Sequence, residues 1–370
     1  MAGIGAVPLS AEAAVLTITA VVPPGGHAGF LSVFPAGTSV PTTSSLNYSG
    51  AGSVPNLATV ALGSSGDVSV YASAYPVDVV VDVEGYYEPS AATPTFMNPL
   101  SSPERLLDTR CVATSPPLYC SSEKLPSQNA STGAPGADGT ISVTVAGVPG
   151  VPAAATAVSL VVTAAGPSSG GYLTVWPDGQ AKPASSNVNF VRGRSSADSV
   201  MVEVGSGGKV GVYNSASAAT NVVIDVNGYF GATGKAFTPS SPIRICDTRT
   251  VGEAGGVGDV ASGASTRCAN SGEIDTPASP VVVNVGGVGG VPGSASMGVF
   301  NVTVTDAPAS GFLTVWPGGS APLTTTSDLN WTQGEVVANQ VTSALSSTGT
   351  MEIHASSKAQ VIVDVAGWYG

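Results

Sequence analysis

The chain has 370 residues, of which only 10% are charged, and its formal net charge at pH 7 is −12. An acidic chain without a basic stripe does not suit the phosphates of nucleic acid or an anionic membrane surface, so we expect neither as a partner. No apolar run reaches the roughly 18 residues of a membrane-spanning helix, so we expect no membrane insertion. The first residues also lack the basic and apolar regions of a signal peptide.

The first predicted elements are six short strands in residues 1–89. They are β-branched and apolar runs separated by Gly, Pro and Ser clusters, which is typical of strands joined by turns. The runs cover residues 14–22, 30–34, 45–48, 58–62, 68–71 and 77–83. The last run, Val79–Val80–Val81–Asp82–Val83, is nearly continuous in valine, which favours a central strand with both faces covered.

A different kind of segment follows, which we name the DTR segment after its Asp-Thr-Arg tripeptide. It covers residues 96–146 and contains Arg105-Leu-Leu-Asp108-Thr-Arg110, a loop bounded by two cysteines, and a strand at its end. A second DTR segment covers residues 237–286 and contains Arg244-Ile-Cys-Asp247-Thr-Arg249, followed by a glycine-rich loop.

Residues 151–231 and 291–370 repeat the strand pattern of residues 1–89, with a period of about 140 residues. The sequence GFLSVFP at Gly29 returns as GYLTVWP at Gly171 and GFLTVWP at Gly311. The closing strand carries an aspartate each time, namely Asp82, Asp225 and Asp364. We call residues 1–89, 151–231 and 291–370 the first, second and third blocks. Such a period indicates tandem structural units.

The predicted fold is therefore all-β, with three tandem antiparallel β-sandwich or jelly-roll-like domains. The domain boundaries are 1–89, 90–231 and 232–370, and the first domain lacks its N-terminal DTR segment. About eight short strands in each complete unit, with no amphipathic helix between them, favour this fold over a parallel α/β topology.

The lack of a first DTR segment predicts an unpaired sheet edge, which invites pairing with another chain. Two interpretations remain open. Either the sequence starts partway through a repeat, by processing or otherwise, or a neighbouring subunit or upstream repeat covers the edge.

Together these motifs resemble a repeat family of secreted actinobacterial proteins. The pattern runs from R-[LI]-x-D-T-R through a GVxGVP turn and GFLTVWP to S-x-L-N and VDVxGYF, and the resemblance covers nearly the whole chain. It implies an extracellular or cell-wall-associated protein and supplies no established chemistry.

The four cysteines lie beside or after the two DTR tripeptides. Cys111 and Cys120 share one unit, and Cys246 and Cys268 share the next. Two cysteines in the same loop of each unit predict two local disulfides. Disulfides favour an oxidising, extracellular or cell-surface setting. Neither CxxC spacing nor a histidine partner indicates zinc.

The charged residues of the DTR segments are predicted to form structural ion pairs. A charge in an apolar strand needs a partner, so the strand aspartates are candidates for the arginines. The candidates are Arg105, Asp108, Arg110, Arg244, Asp247, Arg249, Asp82, Asp225 and Asp364. The alternative is that the arginines recognise a carboxylate or a sugar.

Recurring aromatic and asparagine side chains are candidate glycan contacts. The aromatic residues are Phe34, Trp176 and Trp316, and the amides are Asn47, Asn189 and Asn330. Core packing and turn capping are the alternatives for these side chains.

No pattern of catalytic residues stands out. The only histidines, His27 and His354, occupy non-equivalent positions of the repeat, and no metal, P-loop or nucleophile-elbow motif occurs. We therefore expect no enzyme activity, cofactor or metal. The expected function is an extracellular structural or adhesive repeat protein that self-assembles, as a homo-oligomer or filament, through the open edge of the first domain. The alternative is a carbohydrate-binding module for cell-wall or environmental glycans.

Overall fold

A computed structural model describes residues 1–74, 76–89, 95–112, 116–117, 120, 125–249, 268, 280–319 and 326–370. The glycine-rich loop between Cys246 and Cys268 lies outside these ranges. The chain divides into two compact units. Unit 1 comprises Met1–Pro94 together with Lys235–Gly370, and unit 2 comprises Thr95–Gly234.

The described elements are 22 strands and short 3-10 turns, one of them at Thr109–Val112. The strands of the first block are β1 Ala13–Val22, β2 Gly29–Pro35, β3 Leu46–Tyr48, β4 Gly52–Ala61, β5 Val68–Ala72 and β6 Asp78–Tyr87. The strands of unit 2 are β7 Phe96–Asp108, β8 Gly139–Thr144, β9 Ala157–Ala165, β10 Gly171–Pro177, β11 Val188–Phe190, β12 Ser196–Glu203, β13 Lys209–Asn214 and β14 Asn221–Gly231. Those that complete unit 1 are β15 Phe237–Asp247, β16 Val281–Asn284, β17 Met297–Thr305, β18 Gly311–Pro317, β19 Leu329–Trp331, β20 Val337–Ala344, β21 Thr350–Ala355 and β22 Gln360–Tyr369.

These strands form six small antiparallel sheets. Unit 2 has the orders β12-β9-β14-β7 and β11-β10-β13-β8. In unit 1, the third block and its DTR segment give β20-β17-β22-β15 and β19-β18-β21-β16, while the first block gives only β4-β1-β6 and β3-β2-β5. The predicted all-β class and antiparallel pairing are confirmed.

Each pair of sheets encloses one core of small aliphatic side chains. In unit 2 that core takes Leu160, Val162 and Ile224 from one sheet and Val175 and Val212 from the other. The equivalent strands enclose separate cores in the third and first blocks. Valine and leucine on alternate positions of a pleated strand reach one face together, which explains why these runs form strands.

The same glycine turn occurs near the start of all three blocks. Gly147 has φ +73° and Gly287 has φ +83°, a conformation that β-branched residues avoid. Gly147 N donates to Val151 O at 3.0 Å and Gly287 N donates to Val291 O at 2.8 Å. Gly3, with φ +78°, donates to Val7 O at 2.8 Å in the same way. The sequence analysis missed this third copy because it reads GIGAVP instead of GVxGVP.

The last strand of the first block differs from the predicted central, covered strand. β6 pairs on one side with β1 and lies at the edge of its sheet, whereas β14 and β22 each lie between two strands. Val79, Val80, Val81 and Val83 are exposed. The prediction was wrong for β6 because its valine run is that of a central strand, while the described residues give it a neighbour on one side alone.

The first and third blocks share one compact unit. Asn56 Oδ1 accepts from Gln340 N at 2.9 Å, and the side chain of Gln340 accepts from Thr59 N in return. The rings of Tyr87 and Phe237 lie 4.2 Å apart, between centroids. The division into two compact units falls after Pro94 and after Gly234, so the first and third blocks belong to one discontinuous unit.

Candidate functional site

The first geometry that recurs in the repeat is an arginine–aspartate pair between the edge strand β7 and its neighbour β14 in unit 2. Arg105 Nε donates to Asp225 Oδ1 at 2.5 Å, and Arg105 Nη1 lies 3.3 Å from Asp108 Oδ2. Both aspartates are buried. The register slips by one residue at Leu106, which forms a bulge in β7. The bulge breaks the alternation of side chains, so that Leu106 and Leu107 both enter the core while Arg105 meets Asp225.

Unit 1 repeats this arrangement on β15 and β22. Arg244 Nε donates to Asp364 Oδ1 at 2.9 Å, and Arg244 Nη1 lies 3.7 Å from Asp247 Oδ2. Arg249 Nη2 pairs with the same carboxylate at 2.7 Å. Burial raises the pKa of Asp364, and the charge of Arg244 opposes that rise. The arginine offsets part of the cost of burying this carboxylate as an anion.

The threonine of each DTR tripeptide is a further contact that the sequence analysis missed. Thr109 Oγ1 accepts from Val222 N at 2.9 Å and lies 3.2 Å from Asn221 Oδ1. Thr248 Oγ1 accepts from Val361 N at 2.7 Å and donates to Gln360 Oε1 at 2.6 Å. The repetition of the tripeptide was visible in the sequence, but the hydroxyl contact follows only from the strand register. Each DTR segment is therefore fastened to the neighbouring strand by the charge of the arginine that precedes the tripeptide and by the hydroxyl of the tripeptide's threonine.

The third predicted aspartate, Asp82, lacks this arrangement. It occupies the position of Asp225 and Asp364, because Asp82 opposes Thr17 of β1 just as Asp225 opposes Val161 of β9. Asp82 forms no ion pair with any residue that the structure describes. It is half-buried, and burial raises its pKa. It is thus a carboxylate partly removed from water without the arginine present in the other two blocks.

Apolar residues around Asp82 are exposed where their equivalents are buried. Val81 is 39% exposed, whereas Ile224 and Val363 at the same position are 0% exposed. On the second sheet of the first block the same contrast holds for β5. Val70 is 39% exposed, and its counterparts Val212 and Ile353 are 0% exposed. We call the outer sides of β5 and β6 the open edge.

The candidate glycan-contact aromatics do not form an exposed face. Phe34, Trp176 and Trp316 are all buried, so they contribute to packing and offer no ring for a sugar to stack on. Asn47 and Asn330 are half-buried and donate to Ser44 Oγ and Ser327 Oγ, both at 3.1 Å. Asn189 occupies the same strand position in β11 and is half-buried.

The cysteines form two disulfides, Cys111–Cys120 and Cys246–Cys268. Cys111 directly follows its DTR tripeptide, and Cys246 directly precedes the other. The disulfides therefore close a loop next to the segment's contact with its block.

His354 is buried beside Trp316, with ring centroids 6.2 Å apart. Neither ring nitrogen has a hydrogen-bond partner among the described residues, and burial lowers the pKa of His354. No three His, Cys, Asp or Glu side chains in the described ranges are grouped as a metal ion requires. In the same ranges no helix has the length and apolar character needed to cross a membrane.

Comparison with known proteins gives little to set beside this geometry. No family model and no curated protein matches the sequence. Among solved structures, the chain is similar to the N-terminal CBM22-1-CBM22-2 tandem domain of Xyn10C from Paenibacillus barcinonensis. The identity is 13%, the match covers 62% of this chain and 82% of that chain, and the TM-score is 0.17. At this TM-score the similarity carries no argument about fold or function.

Proposed function

We propose that this protein is a non-enzymatic, extracellular structural or adhesive repeat protein that assembles by strand pairing at the open edge. The observation that carries the proposal is the exposure of Val81 and Val70 at positions that are buried in the other two copies of the repeat. An uncovered strand with apolar side chains is a template for another chain, since its backbone groups and its side chains both lack a partner.

We also infer that each pair of sheets is a β-sandwich module and that the six sheets are not blades of a propeller. Propeller blades are four-stranded sheets arranged by radial repetition, and consecutive strands normally build each blade. Here the chain alternates between sheets: β9, β12 and β14 lie in one sheet of unit 2, and β10, β11 and β13 lie in the other. A sandwich whose DTR segment adds one edge strand to each sheet accounts for this order.

The extracellular setting is supported by the two disulfides. Disulfides persist in oxidising compartments and are rare where thiols are kept reduced. Each disulfide crosslinks the DTR segment of a repeat that has one, which suits a load-bearing or adhesive protein outside the cell.

The carbohydrate-binding alternative rests on the three aromatic residues and their neighbouring asparagines. Such a site would need those rings at the surface, because sugar stacking uses an exposed aromatic face. Phe34, Trp176 and Trp316 are buried, so no specific observation in the described residues favours this alternative.

Mass and shape in solution test the proposal. Light scattering over a range of concentrations, with negative-stain imaging, should reveal oligomers or filaments of the wild-type chain. Val81→Lys should shift the distribution towards the monomer, because a charged side chain on an edge strand opposes strand pairing. The matched control is Val191→Lys, at an exposed valine of unit 2, which should not change the distribution. A wild-type chain that stays monomeric at every concentration would contradict assembly through this edge.

A further inference from the structure

We propose that the preferred partner of the open edge is a DTR-type segment donated by a separate chain. The segment is an extended peptide that carries an arginine three residues before an Asp-Thr-Arg tripeptide, with apolar residues between them. This inference rests on the proposed function and identifies the partner of that same edge.

Two copies of the interaction are already present within the chain. β7 pairs with β14 and β8 pairs with β13, while β15 pairs with β22 and β16 pairs with β21. In both cases one DTR segment supplies an edge strand to each sheet of a block. β6 and β5 are the first block's equivalents of the two strands that receive these partners. The two DTR segments of the chain therefore show how a partner would pair with β6 and β5.

The open edge retains the charged acceptor for the arginine. Asp82 occupies the position at which Asp225 accepts from Arg105 and Asp364 accepts from Arg244. It is half-buried and has no cationic partner in the described residues. An arginine delivered by another chain would return a counter-charge to a partly desolvated carboxylate, which is the setting where a charge-assisted pair is strongest.

The open edge also retains the contacts for the threonine. The hydroxyls of Thr109 and Thr248 accept from the N–H groups of Val222 and Val361. The corresponding group is Val79 N–H, which the shared register places on the outer side of β6. One residue earlier, Asp78 is exposed and offers a carboxylate oxygen where Asn221 and Gln360 offer an amide oxygen.

The apolar part of the segment fits the exposed core positions. In unit 2, Leu107 of the DTR strand lies opposite Ile224, and both side chains are fully buried. The equivalent of Ile224 is Val81, so a leucine or isoleucine at this place in a donated segment would cover the uncovered valine. Burying such aliphatic side chains removes apolar area from water and so favours association.

Exchange with a second copy is less suitable than donation from another chain. Both DTR segments of this chain already pair with their own blocks. A copy that gave one up would expose a new edge equal to the one it covered, with no net gain in strand pairing. A segment not engaged in a block of its own has no such loss.

A synthetic peptide with the sequence of residues Phe96–Arg110 is the probe. This stretch contains Arg105 and the tripeptide and has no cysteine. Calorimetric titration into the full chain should give one site. The peptide with Arg105→Ala should bind about tenfold to a hundredfold more weakly, the range for a lost charged hydrogen bond. The peptide with Thr109→Val should also bind more weakly.

A double-mutant cycle locates the site. Asp82→Asn in the full chain should weaken binding of the wild-type peptide by about the same factor. In the Asp82→Asn chain, Arg105→Ala in the peptide should then have almost no further effect on binding. The control is Asp306→Asn, at an exposed carboxylate whose positive φ of 52° asparagine also tolerates. No binding of the wild-type peptide, or full binding by the Arg105→Ala peptide or to the Asp82→Asn chain, would overturn the inference.

Adding the peptide to the light-scattering experiment separates this inference from the proposed function. If the wild-type chain associates and the peptide dissociates the oligomers, both the proposed function and the DTR-type partner are supported. Association that Val81→Lys abolishes but the peptide leaves unchanged would retain the assembly and overturn the DTR-type partner. A chain that binds the peptide with the Asp82 dependence yet never associates would retain the site and overturn self-assembly.

Discussion

At the scale of single residues, the arginine that precedes each tripeptide holds two carboxylates at once. Arg105 contacts Asp225 and Asp108, and Arg110 also pairs with Asp108. Because the aspartates are buried, removal of the arginine would leave charge without compensation, which is far more destabilising than the net contribution of the pair itself.

We therefore expect Arg105→Ala to lower the free energy of unfolding of unit 2 by about 3–5 kcal/mol. Denaturant unfolding, monitored by the amide hydrogen exchange of residues 157–165, measures the change in the free energy of unfolding. Arg192→Ala, at an exposed arginine of the same unit, should change the free energy by less than about 0.5 kcal/mol. Equal effects of the two substitutions would show that the Arg105 pair has no structural role.

A second residue-scale prediction concerns pH. Burial lowers the pKa of His354 in the folded state, so the unfolded chain binds the proton more tightly. This histidine leaves the free energy of unfolding unchanged at neutral pH, and the free energy falls as the pH drops through the ordinary histidine pKa of about 6.5.

Thermal unfolding of unit 1 at pH 7.5 and pH 5 should show this loss. His354→Leu should reduce the difference between the two pH values. His27→Leu is the matched control, because His27 is exposed and its substitution should leave the difference unchanged. If His354→Leu keeps the full acid sensitivity, groups other than His354 cause it.

At the scale of elements, each DTR segment supplies a pair of edge strands and carries a disulfide next to its tripeptide. The disulfides close loops with sequence separations of 9 and 22 residues. In the chain-entropy account, the longer loop loses more freedom in the unfolded state when it is closed.

Removing Cys111–Cys120 by paired serine substitution should lower the stability of unit 2 by about 2.5 kcal/mol. Removing Cys246–Cys268 should lower that of unit 1 by about 3.4 kcal/mol. Chemical denaturation of each variant measures both values. A larger loss for the shorter loop would contradict the entropic account.

The sequence predicted the positions of the strands better than it predicted which strands lie beside each other. The valine runs, the turn glycines and the tripeptide spacing indicate strands, their order and a missing segment. The valine run by itself does not indicate that β6 is exposed, because composition records the strand's usual environment. The lack of a first DTR segment did predict an unpaired sheet edge in the first block, and β6 lies at such an edge. The aromatic residues misled for a similar reason: Trp316 and Trp176 lie next to polar turns in the sequence, yet both side chains are buried.

At the scale of the whole molecule, the chain folds into a discontinuous unit and a continuous one. Strand patterns cannot show that the first and third blocks pack together, because that contact joins residues more than 200 positions apart. Gln340 is central to it: the side chain accepts from Thr59 N and the backbone N–H donates to Asn56.

Gln340→Leu should therefore destabilise unit 1 by about 1–3 kcal/mol, since it leaves Thr59 N–H buried without its acceptor. Chemical denaturation of unit 1 measures the loss. Gln333→Leu, at an exposed glutamine of the same unit, is the control and should have little effect. A neutral Gln340→Leu would mean that packing alone joins the two blocks.

The most direct test of the open edge is amide hydrogen exchange at three equivalent positions of the full chain, measured by NMR. Val222 N–H and Val361 N–H are bonded to the threonines of their DTR segments, and Val79 N–H is their equivalent in β6. We predict fast exchange at Val79, slow exchange at Val222 and Val361, and slowing at Val79 alone when the Phe96–Arg110 peptide is added. Equal protection of all three amides in the dilute chain without peptide would contradict the account, because the edge of β6 would then already be covered.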